Sequence, residues 1–241
     1  MNNSVKKNSW FDYFYILVMI IYMGQATRDT ACMIGGNLIK QFIPIFIPFF
    51  LTFILLCKNK RISFNNKHLM TIFIVFAMWC VSTNLKYGLG LRNHEAISKT
   101  FFLFYVLIIA YIHTKIFGKR FFALYEKVIV YVCLQSIILW IFSVTMPSIA
   151  ASLFRQFPDV HYGNTLWYSF TWMDPAKGQI FGNLNRNAGC SWEPGRFAVM
   201  VCLAILINLL RNGIKFRKNK SIYILLGALA TTFSTTGYCI T

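Results

Sequence analysis

The segment from Gly182 to Ala198 concentrates side chains that can hold a charged ligand. Pro194 suits the first turn of a helix, because the N–H that proline lacks would have no partner there. Glu193 would then lie at the positive end of the helix dipole and could cap it. Arg196 is a cation in that first turn, which the dipole opposes by roughly 0.3–1 kcal/mol. Its charge therefore needs an anionic partner, which can be Glu193, a lipid phosphate or a bound anion.

Two arginines and a helix N-terminus form a candidate anion site. Arg196 and Arg186, together with the free N–H groups of the helix, would suit a diphosphate. Glu193 is the local candidate for a base that takes a hydroxyl proton. A second interpretation stays open, in which Glu193 only caps the helix and Arg196 only reaches lipid phosphates.

Asparagine and aromatic side chains near this site offer what a sugar needs. Asn183, Asn185 and Asn187 supply hydrogen bonds, and Trp192 supplies a flat apolar face for the C–H groups of a sugar ring. His161 is a further candidate ligand or base, although a lone histidine in a loop is more often incidental. The aromatic residues of the preceding segment can instead form a belt at a membrane interface.

We expect neither a metal ion nor an organic cofactor. The four histidines are scattered along the chain, and the acidic residues form no clustered pair of the kind a divalent cation requires. The sequence also contains no glycine-rich phosphate loop and no nucleophile motif.

The composition identifies the elements that must position these residues. Hydrophobic residues make up 57% of the chain and charged residues only 13%, whereas soluble domains carry roughly 25% charged residues. The net charge of +17 comes from short basic clusters between apolar runs, which differs from the basic face of a nucleic-acid-binding domain. The sequence therefore predicts a membrane protein with no nucleic-acid partner.

We predict an all-α fold, a polytopic transmembrane helical bundle formed by a single domain, residues 1–241. A span needs about 20 apolar residues, and about seven runs come close to that length. They are Phe11 to Met23, Leu38 to Cys57, His68 to Ser82, Thr100 to Phe117, Val128 to Met146, Gly195 to Leu210 and Ser221 to Thr241. The last run ends with the chain, which indicates an N-terminal fragment of a longer protein.

The basic residues set the predicted orientation. Lys and Arg are densest in alternate connections, such as Lys58 to Lys67 and Arg211 to Lys220, and such connections face the cytoplasm. The N-terminus is then cytoplasmic, and a long outer loop, residues 147–194, joins spans five and six. The aromatic content of this loop predicts that it is ordered and packed. It also contains Cys190, for which a disulfide with Cys32 is one option.

The order of these features resembles the O-antigen ligase and polymerase superfamily of bacterial surface-polysaccharide assembly. The resemblance covers roughly Gly182 to Tyr238. It consists of a Gly/Asn/Arg-rich loop end, a span that opens with Trp-Glu-Pro-Gly-Arg-Phe-Ala, a short basic connection, and a span that ends in Thr-Thr-Phe-Ser-Thr-Thr-Gly-Tyr. Two features depart from the family pattern. The second span lacks the arginine that often occurs near its end, and the further spans and second outer loop of the family are missing.

The resemblance implies a metal-independent glycosyltransferase at the periplasmic face of the bacterial inner membrane. Its donor would be a glycan carried on undecaprenyl diphosphate, and its partners would be membrane lipids and other polysaccharide-assembly membrane proteins. Glu193 and Arg196 would be catalytic, with Arg186 holding the diphosphate. Two other hypotheses remain, a transporter or flippase of lipid-linked sugars and a non-enzymatic membrane subunit.

Overall fold

A computed structural model describes residues 9–23, 38–59, 66–87, 94–153, 155–156, 163–166, 170–173, 184–191, 193–214, 217 and 219–234. These residues are mostly helical. The helices are α1 (Trp10–Met23), α2 (Leu38–Lys58), α3 (Asn66–Tyr87), α4 (His94–Phe117), α5 (Arg120–Thr145), α6 (Pro147–Leu153), α7 (Pro194–Asn212) and α8 (Lys220–Thr231). The strands are β1 (Arg155–Gln156), β2 (Gly163–Leu166), β3 (Phe170–Met173) and β4 (Arg186–Gly189).

All seven apolar runs coincide with helices, and most of these helices extend beyond the run at the N-terminal end. Helix α5 begins at Arg120, although the apolar run begins at Val128. The charged residues Glu126 and Lys127, which precede the predicted run, continue the helix because backbone hydrogen bonding does not require an apolar side chain. The prediction for the last run is wrong in its end point. Helix α8 ends at Thr231, and residues 235–241 lie outside the described part.

Two helices, α5 and α7, are long and apolar enough to cross a membrane, judged by length and composition. Five further helices contain shorter apolar segments: Trp10–Tyr22, Phe46–Lys58, Lys67–Ser82, Val106–Phe117 and Lys220–Thr231. The described helices also leave many large apolar side chains exposed, among them Met70, Phe73 and Met78 on α3. Apolar surface of this kind marks contact with a membrane or a partner. The arrangement of seven spans stays a prediction.

The long segment between α5 and α7 contains a small sheet that an all-helical fold does not include. Its four strands are antiparallel in the order β1-β2-β3-β4. Leu166 pairs with Phe170 across β2 and β3, and Thr171 pairs with Gly189 across β3 and β4. The strands are only two to four residues long, too short for an alternating pattern to reveal them.

Aromatic residues of this segment pack on the end of α5. Phe170 and Trp172 of β3 are buried together with Ala150 of α6. Partly buried side chains of α5 and β2 surround this cluster: Leu139, Trp140, Phe142 and Leu166. The described strands therefore pack on α5 and α6, whereas residues 157–162, 167–169 and 174–183 lie outside the described part, and the order of the loop as a whole stays a prediction.

The chain divides into two compact units, residues 1–50 with 122–241 and residues 51–121. In the second unit α3 packs on α4 through aromatic rings. Phe76 lies 4.9 Å and Phe73 6.4 Å from Phe104, measured between ring centroids. The residues of the candidate site that the structure describes belong to the first unit.

A polar cluster ties α5, α7 and α8 together in the first unit, and we call it the Glu126 cluster. Glu126 of α5 is 5% exposed and pairs with Arg211 of α7. Asn208 of α7 donates to Glu126 Oε1 at 2.6 Å. Asn208 and Asn219, which precedes α8, also exchange amide hydrogen bonds with each other. The carboxylate of Glu126 thereby joins α5 to α7, and the two amides join α7 to the residue that precedes α8.

Candidate functional site

Strand β4 is attached to the helices by one buried amide. Asn187 is 0% exposed. Its Nδ2 donates to Ser136 Oγ of α5 at 3.1 Å and to Thr231 Oγ1 of α8 at 2.9 Å. Its Oδ1 accepts the N–H of Gly189 at 2.8 Å. One side chain therefore connects the strand to two helices and to its own end.

The two hydroxyl groups are prepared to receive this amide. Ser136 Oγ donates its single proton to the Cys133 carbonyl at 2.9 Å, and Thr231 Oγ1 donates to the Ala228 carbonyl at 2.8 Å. A hydroxyl that has used its proton within its own helix has oxygen lone pairs left to accept. The amide nitrogen of Asn187 must therefore face both hydroxyls, and its oxygen must face Gly189.

Gly189 allows the strand to approach α7 closely. Its φ is +54°, and a Cβ built there would lie 2.6 Å from Cδ2 of Phe197 and closer still to two other ring atoms. Non-bonded carbon atoms pack best at about 3.5–4.0 Å, so any larger residue would displace the ring. The glycine thus places the end of β4 directly on the first turns of α7.

Trp140 holds the other end of the strand. Its Nε1 donates to the carbonyl oxygen of Asn185 at 2.6 Å, and its ring centroid lies 6.2 Å from that of Phe233. Phe233 follows α8 with a φ of +46°, a left-handed conformation that is uncommon outside glycine. Such backbone conformations persist where the surrounding structure holds them in place.

Arg186 lies between these two fixed neighbours, and Nε of its guanidinium group has no hydrogen-bond partner among the described residues. This nitrogen atom is buried. A buried donor without an acceptor costs roughly 1–3 kcal/mol, and more when it is charged. Most such groups have an acceptor from protein or water. A ligand oxygen that accepts a hydrogen bond from this atom would therefore favour binding of the ligand.

Glu193 and Arg196 form a pair at the start of α7. Glu193 is the N-cap residue, but its side chain makes no capping hydrogen bond. Its Oε2 instead lies 3.8 Å from Nε of Arg196, and the two side chains are 48% and 46% exposed. Exposed pairs contribute about 0–1 kcal/mol, so either partner can exchange the other for a ligand at little cost. Glu193 therefore occupies the N-cap position but does not cap the helix through its side chain.

The end of α8 meets the beginning of α7 at this same place. A Cβ built on Gly195 would lie 3.6 Å from Oγ of Ser234, and 4.0 Å from Oε1 of Glu193. Ser234 is 7% exposed. The two segments on which the family resemblance rests are therefore in contact at Gly195 and Ser234, although these residues lie far apart in the sequence.

The candidate residues fall into two groups, those that the structure describes and those that lie outside the described residues. Glu193 pairs with Arg196, and β4, which carries Arg186, packs on the same helix through Gly189. The backbone of Asn185 is fixed by Trp140. The remaining candidates lie outside the described residues: Asn183, His161 and Trp192. The sequence analysis did not identify Ser136 or Trp140, and it named Asn187 only as a possible hydrogen-bonding partner of a sugar.

Cys190 is a free and fully buried thiol. Burial raises its pKa to about 12, and a backbone hydrogen bond to the sulfur opposes this shift only in part. The disulfide with Cys32 is therefore not formed, and Cys32 itself lies outside the described residues. A thiol in this state acts as a small apolar side chain rather than as a nucleophile.

No protein-family model, no curated protein and no solved structure matches this chain.

Proposed function

We propose that this chain is a multi-pass protein of the bacterial inner membrane that transfers glycans from undecaprenyl diphosphate to a sugar hydroxyl at the periplasmic face. Polymerisation and ligation of O-antigen, capsule or exopolysaccharide are reactions of this class. The membrane lipids and the lipid-linked glycan are its direct partners, and other polysaccharide-assembly membrane proteins supply the donor. The resemblance over Gly182 to Tyr238 supplies the reaction class.

The observation that carries this proposal is the buried Nε of Arg186, which has no acceptor in the described part of the chain. A guanidinium group offers five N–H donors in a planar fork that matches phosphate oxygens. The strand that carries Arg186 packs on the helix whose first turn carries Arg196. A diphosphate is an anion with enough oxygens to use both arginines.

The proposed reaction is a displacement at the anomeric carbon of the donor glycan. The acceptor hydroxyl oxygen forms a bond to that carbon, and the bond from the carbon to the diphosphate oxygen breaks. The electron pair leaves with the lipid diphosphate, and the hydroxyl proton passes to the carboxylate of Glu193. Arg186 and Arg196 stabilise the departing diphosphate, where negative charge develops.

The test is to replace Arg186 and Arg196 in the complete native gene and to measure polymer length on cells at matched expression. Arg186→Ala and Arg196→Ala should each lower the rate of glycan transfer by about 10²–10³, the typical effect of losing one donor to a developing anion. Arg→Lys at either position should restore the rate only in part, because an ammonium lacks the planar fork.

Arg217→Ala is the matched control, because Arg217 is an exposed cation in the connection between α7 and α8. It should leave polymer length unchanged. Near-normal polymer in Arg186→Ala and Arg196→Ala cells would disprove the proposed site. Accumulation of lipid-linked donor at the cytoplasmic face in the Arg186→Ala and Arg196→Ala cells would instead indicate a flippase.

A further inference from the structure

The amide of Asn187 is the most completely used polar side chain near the proposed site. It is 0% exposed and makes three hydrogen bonds to three different elements. We infer that Asn187 is a positioning residue, which holds Arg186 in the orientation that binds a phosphate oxygen of the donor. This inference rests on the proposed function and names how its site is assembled.

The first step of the argument concerns the backbone on both sides of Arg186. The carbonyl of Asn185 accepts from Trp140 at 2.6 Å, and Asn187 is attached to α5 and α8. Arg186 therefore has a fixed residue before it and after it. A side chain on a fixed backbone loses less conformational entropy when it binds a ligand, which raises its affinity.

The second step concerns the end of the strand. Asn187 Oδ1 accepts the N–H of Gly189, whose φ of +54° turns the chain onto Phe197. The same amide thus sets the turn that brings β4 against the first turns of α7, where Arg196 lies. Loss of the amide would free the strand from two helices and loosen the spacing between the two arginines.

The third step concerns the ligand. Nε of Arg186 is a buried cationic donor without an acceptor in the described part of the chain, which calls for an anionic oxygen rather than a neutral one. A diphosphate satisfies this requirement whether it is attached to a lipid or free in solution. The two sources differ only in the apolar tail, so a pair of probes with and without a tail separates them.

The experiment compares two buried asparagines in protein expressed from its complete native gene and purified in detergent. Asn187→Ala removes the attachment of β4, and Asn208→Ala removes an equally buried amide from the Glu126 cluster. Binding of farnesyl diphosphate and of inorganic pyrophosphate is measured for each variant at equal folded fraction, with farnesol as the uncharged control. Arg186→Ala is measured in parallel.

We expect Asn187→Ala to bind the diphosphate about tenfold more weakly, as for the loss of one hydrogen bond to a charged group. Asn208→Ala should bind within about twofold of the wild type, although both variants lower thermal stability. Ser136→Ala and Thr231→Val each remove one acceptor of the amide. They should show smaller losses in the same direction, and they carry the test if Asn187→Ala does not fold.

Three results would overturn the inference, and they separate it from the proposed function. Equal weakening by Asn187→Ala and Asn208→Ala would mean that Asn187 has only a structural role. Binding lost in Arg186→Ala but unchanged in the variants of Asn187, Ser136 and Thr231 would remove the inference and leave the proposed function intact. Absence of diphosphate binding by the wild-type protein would remove both.

Discussion

Asn208 Nδ2 of α7 lies 2.6 Å from Oε1 of Glu126 on α5, and both residues are buried. The second carboxylate oxygen pairs with Arg211, whose side chain is 41% exposed while that of Glu126 is 6% exposed. A buried carboxylate persists only when its oxygens are satisfied. The Glu126 cluster therefore makes the packing of α5, α7 and α8 depend on one another.

This dependence predicts the stability of a pair of variants. Arg211→Ala leaves the carboxylate of Glu126 buried without its cation. Breaking a fully buried ion pair lowers the free energy of unfolding by at least about 3 kcal/mol. Because Arg211 is half exposed, we expect a loss of no more than about 3 kcal/mol here. Adding Glu126→Gln removes the charge but keeps an oxygen that accepts from Asn208. The double variant should therefore be more stable than Arg211→Ala alone.

The measurement is denaturant or thermal unfolding in detergent, arranged as a double-mutant cycle. Arg217→Ala serves as the control for the loss of an exposed cation from the neighbouring connection. If the double variant were the least stable of the set, the carboxylate would not depend on Arg211.

Two glycines with positive φ differ in the space around them, and comparing their alanine variants tests how closely β4 approaches α7. Gly189 has a φ of +54° and its Cβ would overlap the ring of Phe197, whereas Gly213 has a φ of +66° and nothing within 4 Å. Gly213→Ala should lower stability by about 1–2 kcal/mol through backbone strain alone. Gly189→Ala should lower it by about 1–3 kcal/mol more, the cost of overpacking. Unfolding of both variants in the same detergent measures the difference.

Equal losses for the two glycine variants would contradict the close contact with Phe197. In that case a third variant, Gly189→Ala with Phe197→Leu, should give no recovery. Recovery in this double variant supports the overlap directly, because a smaller side chain opens the space that the added methyl group needs.

Hydrophobic run length predicted the helices well, because a run of apolar residues in α5 or α7 can satisfy its backbone only within a helix. Their ends were less accurate, since the charged residues Glu126 and Lys127 interrupt the apolar run but not helix α5. The predicted end of the last run was wrong, because helix α8 ends at Thr231 with Thr232 as its C-cap residue.

Residue type predicted the ionic part of the candidate site, and tertiary packing decided the rest. The spacing of Glu193 and Arg196 fixes their contact, because residues three apart share a helix face. The role of Asn187 could not be predicted in the same way. Its partners Ser136 and Thr231 lie 51 and 44 residues away, and only the assembled fold shows that an asparagine in a polar loop is fully buried.

Membrane orientation gives a prediction that does not depend on chemistry. The alternation of basic connections predicts that Asn164 of β2 faces the periplasm and that Asn65, which lies outside the described residues, faces the cytoplasm. In a background without native cysteines, a membrane-impermeant thiol reagent added to intact spheroplasts should label Asn164→Cys. Asn65→Cys should react only after the membrane is opened.

Labelling of Asn65→Cys alone in intact spheroplasts would reverse the orientation. It would also move Arg186 and Arg196 to the cytoplasmic side, where the proposed periplasmic reaction could not take place. The two cysteine positions thus test the location of the site as well as the topology.

Burial of Cys190 predicts its reactivity and its pH dependence. Because burial holds the pKa of Cys190 at about 12 instead of the ordinary 9.0, the folded protein at pH 8 contains only about one thiolate in ten thousand at this position. Iodoacetamide at pH 8 in detergent should therefore label the exposed Cys57 and leave Cys190 unmodified until the protein unfolds, as peptide mass spectrometry can measure.

The raised pKa also means that the folded state holds a proton that the unfolded state releases between pH 9 and 12. This contribution to stability is present in full below pH 9 and is lost as the pH rises toward 12. Cys190→Ala should remove this part of the alkaline destabilisation, whereas Cys57→Ala should leave it unchanged. Rapid labelling of Cys190 in the folded protein would contradict its burial.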